Sequence, residues 1–344
     1  MQQEAAFEFD GAGMSGETLW GIHMGRQHGD RPIEDGYIAI GWAKLGDVSR
    51  LPADREALRE AVMRAYPETK ERASVLYAGI LHRFVHEMKE GDLVIYPSKA
   101  DRMVNVGRIA GPYRHDPSGV DDPEDGSANF RSVEWHAHRP RASFPQVALN
   151  EIGSALTLFQ VANNPEPFLA AMRGEEAITD EADTGEVEAA SEQVEESTED
   201  FVVKRLKTAL TPERFEHFVA HLLTRMGYHA RVTSFGGDGG IDIIAHRDEL
   251  GFEPPVIKVQ CKQTLETIGR PQVQQLMGAI EEREFGLFVT LGSYATTARD
   301  MERQKANLRL IDGATLTELM FAHYERFEPQ WQTVVPLKRR YIPG

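Results

Sequence analysis

The chain has 344 residues, 38 Lys and Arg against 54 Asp and Glu, a formal net charge of −16, and a single cysteine, Cys261. One cysteine excludes an internal disulfide framework and a cysteine-rich zinc site, and no apolar run approaches the roughly 18 residues that cross a bilayer. The length favours two domains, and the acidic opening MQQEAAFEFDGAGMSGE has no basic-then-apolar leader, so a cytoplasmic protein with no membrane partner is expected.

In chain order, strand-like runs are predicted at Leu19–Met24 and Tyr37–Trp42, then helices at about 54–65 and 71–89. In the second helix Leu76, Ile80, Leu81, Phe84, Val85 and Met88 recur at helical spacing and should form one buried stripe. Strands at 92–96, 103–109 and 130–136 follow, with a loop of turn-forming composition at 117–129. The sum is a small α+β domain over 1–172, a curled sheet with helices on one side. Residues 174–200 hold 12 carboxylates and no Lys or Arg, so 173–200 reads as an acidic disordered linker. Residues 201–344 carry 19 basic and 17 acidic side chains, so the negative charge of the whole does not describe the C-terminal part.

That part is an α/β pattern. Thr211 can cap a helix with Pro212 in its first position, and Phe215, Phe218, Val219, Leu222, Leu223 and Met226 form its apolar stripe up to Gly227. Strands at 229–234, 240–246 and 256–262, a helix from Pro271, a strand at 285–290, a helix at 294–306 and a strand at 308–311 complete a mixed sheet flanked by helices.

Chemistry is concentrated in GGDGGIDII (236–244) and KVQCKQ (258–263). Hydrolysis of a phosphodiester by a metal-assisted route needs oxygen ligands for a divalent cation and a basic group near the attacking water. Asp242 supplies a carboxylate. Gln260 and Lys262, two apart on a predicted strand, share a face, and Cys261 takes the other. If 240–246 pairs with 256–262, Asp242 can join them. Burying Lys262 between Val259 and Ile268 would demand a charged partner, which a phosphate beside a metal provides. The glycines at 236, 237, 239 and 240 permit a sharp turn and close approach.

Residues 211–320 resemble the catalytic domain of Mrr-type restriction endonucleases, a branch of the PD-(D/E)XK nucleases. The matching residues are Phe215-Glu216, Gly227-Tyr228, Asp238 to Asp242, Gln260-Cys261-Lys262, Val289-Thr290 and Ala298-Arg299. The resemblance implies Asp242 as metal ligand, Gln260 in place of the usual second acid, Lys262 as the residue that positions or deprotonates water, and Glu216 as the helix acid. Asp238 would either bind metal or order its turn. The expected cofactor is Mg2+, with Mn2+ as substitute, and the expected partner is double-stranded DNA, cut by a homodimer in antiphage defence.

The first block resembles PUA-like and EVE-like domains, through Leu19 to His23, Ile38 to Trp42, Glu90 to Val94, Val106 to Ile109, Val133 to Trp135 and Gly153 to Leu156. That likeness implies recognition of modified DNA by an aromatic pocket, for which Trp20, Tyr37, Trp42 and Trp135 are the candidates. His82 and His86 have zinc-compatible spacing without a third ligand, His136 and His138 are equally ambiguous, and Lys338 to Tyr341 form a basic tail. No Walker-type phosphate loop occurs. Two alternatives stand: a repair or junction nuclease on the same core, and a defence nuclease whose first domain senses a small molecule or RNA.

Overall fold

Every side chain of the strand Leu93–Pro97 is buried, and a strand of that kind needs cover on both faces of its sheet. The computed structural model describes residues 17–25, 28–99, 101–119, 126–154, 156–175, 191–233, 240–248, 251 and 255–337, with backbone alone over 191–197. It forms two units, Met1–Val187 and Glu188–Gly344.

The first unit contains β1 (Leu19–Ile22), α1 (Arg31–Glu34), β2 (Tyr37–Ile40), α2 (Arg55–Ala65), α3 (Glu71–His82), β3 (Leu93–Pro97), β4 (Met103–Ile109), β5 (Arg114–His115), β6 (Asn129–Pro140), α4 (Gln146–Ile152), β7 (Leu158–Gln160) and α5 (Glu166–Met172). Its seven-stranded sheet runs β2-β6-β4-β3-β1-β7, with β5 on β6. Only β1 and β3 are parallel. Trp20, Ile22, Val94 and Tyr96 pack with Leu58, Val62, Leu81 and Phe84 of the α2–α3 side. Leu19, Leu93 and Ile95 pack with Leu149, Ile152 and Phe168 of the α4–α5 side. Helices on one side only, the sequence expectation, is therefore corrected: alternate residues of these strands are apolar on both faces.

A second correction concerns α3. Ile80, Leu81, Phe84, Val85 and Met88 are buried, but Leu76 is 40% exposed. The inward stripe instead passes through Ser74 and Ala78, with Tyr77 beside them. Small and polar residues hid its true phase. The helix widens into a π-turn over Arg83–Glu87, and buried Arg131 donates to the Phe84 and Val85 carbonyls at 2.8 and 3.2 Å, satisfying groups a helix end leaves bare.

The second unit contains α6 (Ser191–Ala209), α7 (Pro212–Arg225), β8 (His229–Val232), β9 (Ile243–His246), β10 (Val256–Lys262), α8 (Arg270–Gly278), β11 (Glu284–Thr290), α9 (Thr296–Gln304), β12 (Leu308–Ile311), α10 (Gly313–His323) and α11 (Pro329–Val334). Its sheet order is β12-β11-β10-β9-β8. β10, β11 and β12 are parallel, and the β8-β9-β10 meander is antiparallel, giving the mixed sheet expected. Helix α6 differs from the sequence reading, which ran the linker to residue 200. Val202, Val203 and Leu206 are buried, and Asp200 with them, so this apolar stripe docks a helix whose leading turns are acidic. Residues 176–190 of the expected linker lie outside the described residues. Among the described residues, no helix is long and apolar enough to cross a membrane.

Candidate functional site

Asp242 stands at the head of β9. Its N–H donates to the Val259 carbonyl at 2.8 Å, and its carboxylate accepts the Cys261 N–H at 2.6 Å. Asp242 is thereby held against β10 on both sides of Gln260. Strand alternation puts Lys258, Gln260 and Lys262 on one face and the fully buried Val259 on the other. Lys258 is taken up by Glu284 at 2.7 Å, which leaves Gln260 and Lys262 as the polar pair of that face.

Helix α7 brings in Glu216. The Thr211 hydroxyl accepts the Arg214 N–H at 3.3 Å and Pro212 opens the helix, as the sequence predicts. Phe215, Phe218 and Val219 anchor its core face, and half-buried Glu216 lies beside that stripe. Burial pushes the Glu216 carboxyl up to about 6, with help from the Asp242 and Glu213 charges. Burial raises Asp242 as well, against the opposing Cys261 N–H. The Cys261 thiol is pushed up by burial and then by Asp242 and Glu216. Two carboxylates that act on each other and on one strand occupy one locality.

Gln260 supplies the most pointed observation. Its Oε1 is buried and has no hydrogen-bond partner among the described residues. Its Nε2 lies 3.1 Å from where a Cβ on Gly240 would stand, and Gly240 has φ +88°, so glycine is needed there twice over. An unpaired buried oxygen is costly unless something else engages it. Oxygen donors of this kind suit a hard divalent cation, which two carboxylates and an amide can share with water and phosphate oxygens. The donor set fits such an ion, although the described residues contain no group of three His, Cys, Asp or Glu placed to hold one.

The structure corrects the expected burial of Lys262: its side chain is exposed. No charged partner is therefore required, because β10 ends there and the ammonium leaves the core. Asp238, the glycines 236, 237 and 239, and the basic tail from Lys338 lie outside the described residues. His82 bonds Glu87 at 2.9 Å and stacks near His86, and no third ligand joins them among the described residues.

The four aromatic candidates of the first unit separate. Trp20 is 1% exposed and its Nε1 donates to buried Asp92 at 2.9 Å, so it is core and cannot stack on a ligand. Trp135 donates to the Pro32 carbonyl at 2.7 Å and packs on the same core. Tyr37 is tied to His28 at 3.1 Å and lies edge-on to Phe130. Apolar strand residues at regular spacing are core first. Trp42 alone lines an open cleft of about 580 Å3, with Gly41, Tyr66, Lys70, Tyr77 and Thr157. It sits at φ 65°, ψ 43°, a left-handed conformation rare for a bulky side chain, with Tyr77 at 5.2 Å between ring centroids. Strain of this kind collects at functional positions. Sequence reasoning missed Tyr66 and Tyr77, which sit on or beside helices where nothing separates a pocket wall from core.

Residues 207–320 match a restriction endonuclease family model, that of the Mrr catalytic domain, and residues 20–162 match one described as a domain of unknown function. The type IV methyl-directed restriction enzyme EcoKMrr of Escherichia coli (strain K12) is 29% identical over 185 residues, covering 52% of this chain and 57% of that enzyme. The chain thus spans little more than half the length of that relative. Among solved structures, the MspJI restriction endonuclease in complex with a 27-mer oligonucleotide aligns with TM-score 0.31 and 16% identity over 78% of this chain and 70% of its own. The DNA modification-dependent restriction endonuclease AspBHI aligns with TM-score 0.32 and 17% identity over 78% and 73%. At those scores neither alignment adds to what the sequence matches show. The C-terminal unit carries a restriction endonuclease domain, a domain that hydrolyses DNA phosphodiester bonds.

Proposed function

We propose that this chain is a divalent-metal-dependent DNA endonuclease of restriction type, whose N-terminal unit selects modified DNA and whose C-terminal unit cuts it. The observation that carries the reading is the Gln260 amide oxygen, buried without a partner among the described residues. Beside it, within the matched segment, stand two carboxylates whose ionisation burial opposes. A hard cation would relieve all three groups.

Asp242, Gln260 and Glu216 would hold Mg2+, with Mn2+ as substitute and Asp238 as a further ligand. The ion, when bound, supplies Lewis acidity at the scissile phosphate. The Asp242 carboxylate is oriented beforehand by the Cys261 N–H. Lys262, on the Gln260 face, holds the attacking water and favours the charge that builds on phosphate. Cutting both strands calls for two such sites, hence two copies of the chain.

For the N-terminal unit, the Trp42 cleft is the proposed place for a base turned out of the duplex, stacked between indole and tyrosine rings. Such a role agrees with the PUA-like reading of the unit. The methyl-directed relative makes methylated DNA the first substrate to try.

The test is a panel of plasmids, unmodified or carrying methylated, hydroxymethylated or glucosylated cytosine, incubated with Mg2+, Mn2+ or chelator. Metal-dependent cutting confined to a modified plasmid is expected. Cutting of branched DNA alone would move the chain to repair. No cutting of any DNA with either metal would end the endonuclease reading.

A further inference from the structure

Helix α6 ends at Ala209 and α7 begins at Pro212, and a helix leaves its last four carbonyls without intrahelical partners. One side chain gathers those at this junction. Gln263 Nε2 donates to the Leu206 carbonyl at 2.7 Å and the Leu210 carbonyl at 2.8 Å, with the Lys207 carbonyl at 3.4 Å. In return the Lys207 ammonium donates to the Gln263 carbonyl at 2.9 Å. The clasp is reciprocal.

Its location gives it meaning. Gln263 directly follows Lys262, and Leu210 directly precedes Thr211, the cap of the helix that carries Glu216. One amide therefore ties the end of the Lys262 strand to the start of the Glu216 helix. Lys262 is exposed, so little packing fixes its ammonium, and the backbone on either side determines where it reaches. On the inner side Thr290 holds the Lys262 carbonyl at 3.0 Å. On the outer side the next residue's hold is the Gln263 clasp. The far partner, α6, is itself anchored through Val202, Val203 and Leu206 and through Arg205 on the Val334 carbonyl at 3.1 Å.

We infer that Gln263 is a positioning residue of the nuclease site, fixing the separation between Lys262 and Glu216 by clasping the α6–α7 junction. The inference rests on the reading of those two residues as parts of one site. Gln263 does no chemistry of its own, and its effect falls on the transition state, where displacement of a catalytic group matters most.

The experiment compares full-length wild type with Gln263→Leu, which removes the donor at similar size, and Gln263→Arg, which can donate again to helix-end carbonyls. Cleavage kinetics, melting temperature and hydrogen exchange are measured on each. Gln263→Leu should lower kcat about 10- to 100-fold with KM changed by no more than about twofold, since a displacement of about 1 Å has that scale of cost. Gln263→Arg should recover most of it. Exchange should quicken in both 258–265 and 206–212 in the leucine variant. A folded Gln263→Leu with near-normal kcat, a loss that arginine fails to recover, or unchanged exchange over 258–265 overturns the inference. If the wild type cuts no DNA, the functional reading falls, and the exchange comparison alone decides whether the clasp controls the strand.

Discussion

The Asp242 carboxylate accepts the Cys261 N–H at 2.6 Å, a contact in which the charge of the side chain matters less than its oxygen. Asn at 242 could accept the same N–H. Asp242→Asn should therefore fold normally, and because burial already opposes ionisation of Asp242, its metal-free melting temperature should equal or exceed that of wild type. Cleavage should fall at least about 100-fold. The stabilisation that Mg2+ gives to the wild type should shrink, since a ligand stabilises only what it binds. Undiminished stabilisation by Mg2+ in the Asn variant would remove Asp242 from the metal site.

Lys262 is exposed, so Lys262→Ala should leave stability within about 0.5 kcal/mol of wild type. Loss of the ammonium should cost cleavage about 100- to 1000-fold, with DNA affinity nearly intact. A variant cutting at about a third of the wild-type rate, far from the expected loss, would exclude Lys262 from the chemistry.

Glu216 sets a pH dependence. Its carboxyl, ordinarily near 4.5, is pushed up to about 6 in the folded chain, so the native state holds that proton more tightly than the unfolded chain. The contribution is full below 4.5 and is lost as pH rises through about 6, amounting to at most about 2 kcal/mol. Metal-free melting temperature, followed from pH 4.5 to 7, should thus decline more in wild type than in Glu216→Gln. Mg2+ competes with the same proton, so its stabilising effect should grow over that range and then level. Matching profiles for wild type and Glu216→Gln would show that the carboxyl does not sense this site.

Two tryptophans give opposite expectations. Trp20→Ala should destabilise the N-terminal unit by about 3–5 kcal/mol, the usual cost of emptying a large core position. Trp42→Gly should cost little stability, because glycine accepts the left-handed backbone that strains tryptophan. It should still weaken binding of the preferred DNA by about 1–3 kcal/mol, the worth of one stacked base. Melting curves and DNA titrations check both. Stable Trp42→Gly with unchanged DNA affinity would clear the cleft of any role in recognition.

Legibility followed the strength of local patterns. The α7 cap at Thr211, the apolar stripe behind it and the strands β10 to β12 announce themselves by spacing, and Gln260 and Lys262 share a face because strand alternation requires it. The grip of Asp242 on Val259 and Cys261 was not legible, since it depends on strand register. The exposure of Lys262 was also hidden, because the sequence does not say where β10 stops being flanked. In the N-terminal unit, Trp20 and Trp42 look alike as strand-end aromatics. Asp92, 72 positions from Trp20, makes the difference by accepting its indole N–H. Tyr77 and Tyr66 reach the cleft only through the angle at which α2 and α3 cover the sheet. The docking of α6 was masked by the acidic residues that precede its apolar stripe.

The grip of Asp242 on β10 engages only main-chain atoms of Val259 and Cys261. Side-chain identity at those two places is accordingly less constrained than counting. Insertion or deletion of one residue within β10 would invert its parity, turning Gln260 and Lys262 to the core and bringing the residues between them to the open face. Such a change would erase the site while leaving every one of its residues in the chain. Length variation must be absorbed before Val256, where the parity of the strand is not yet set.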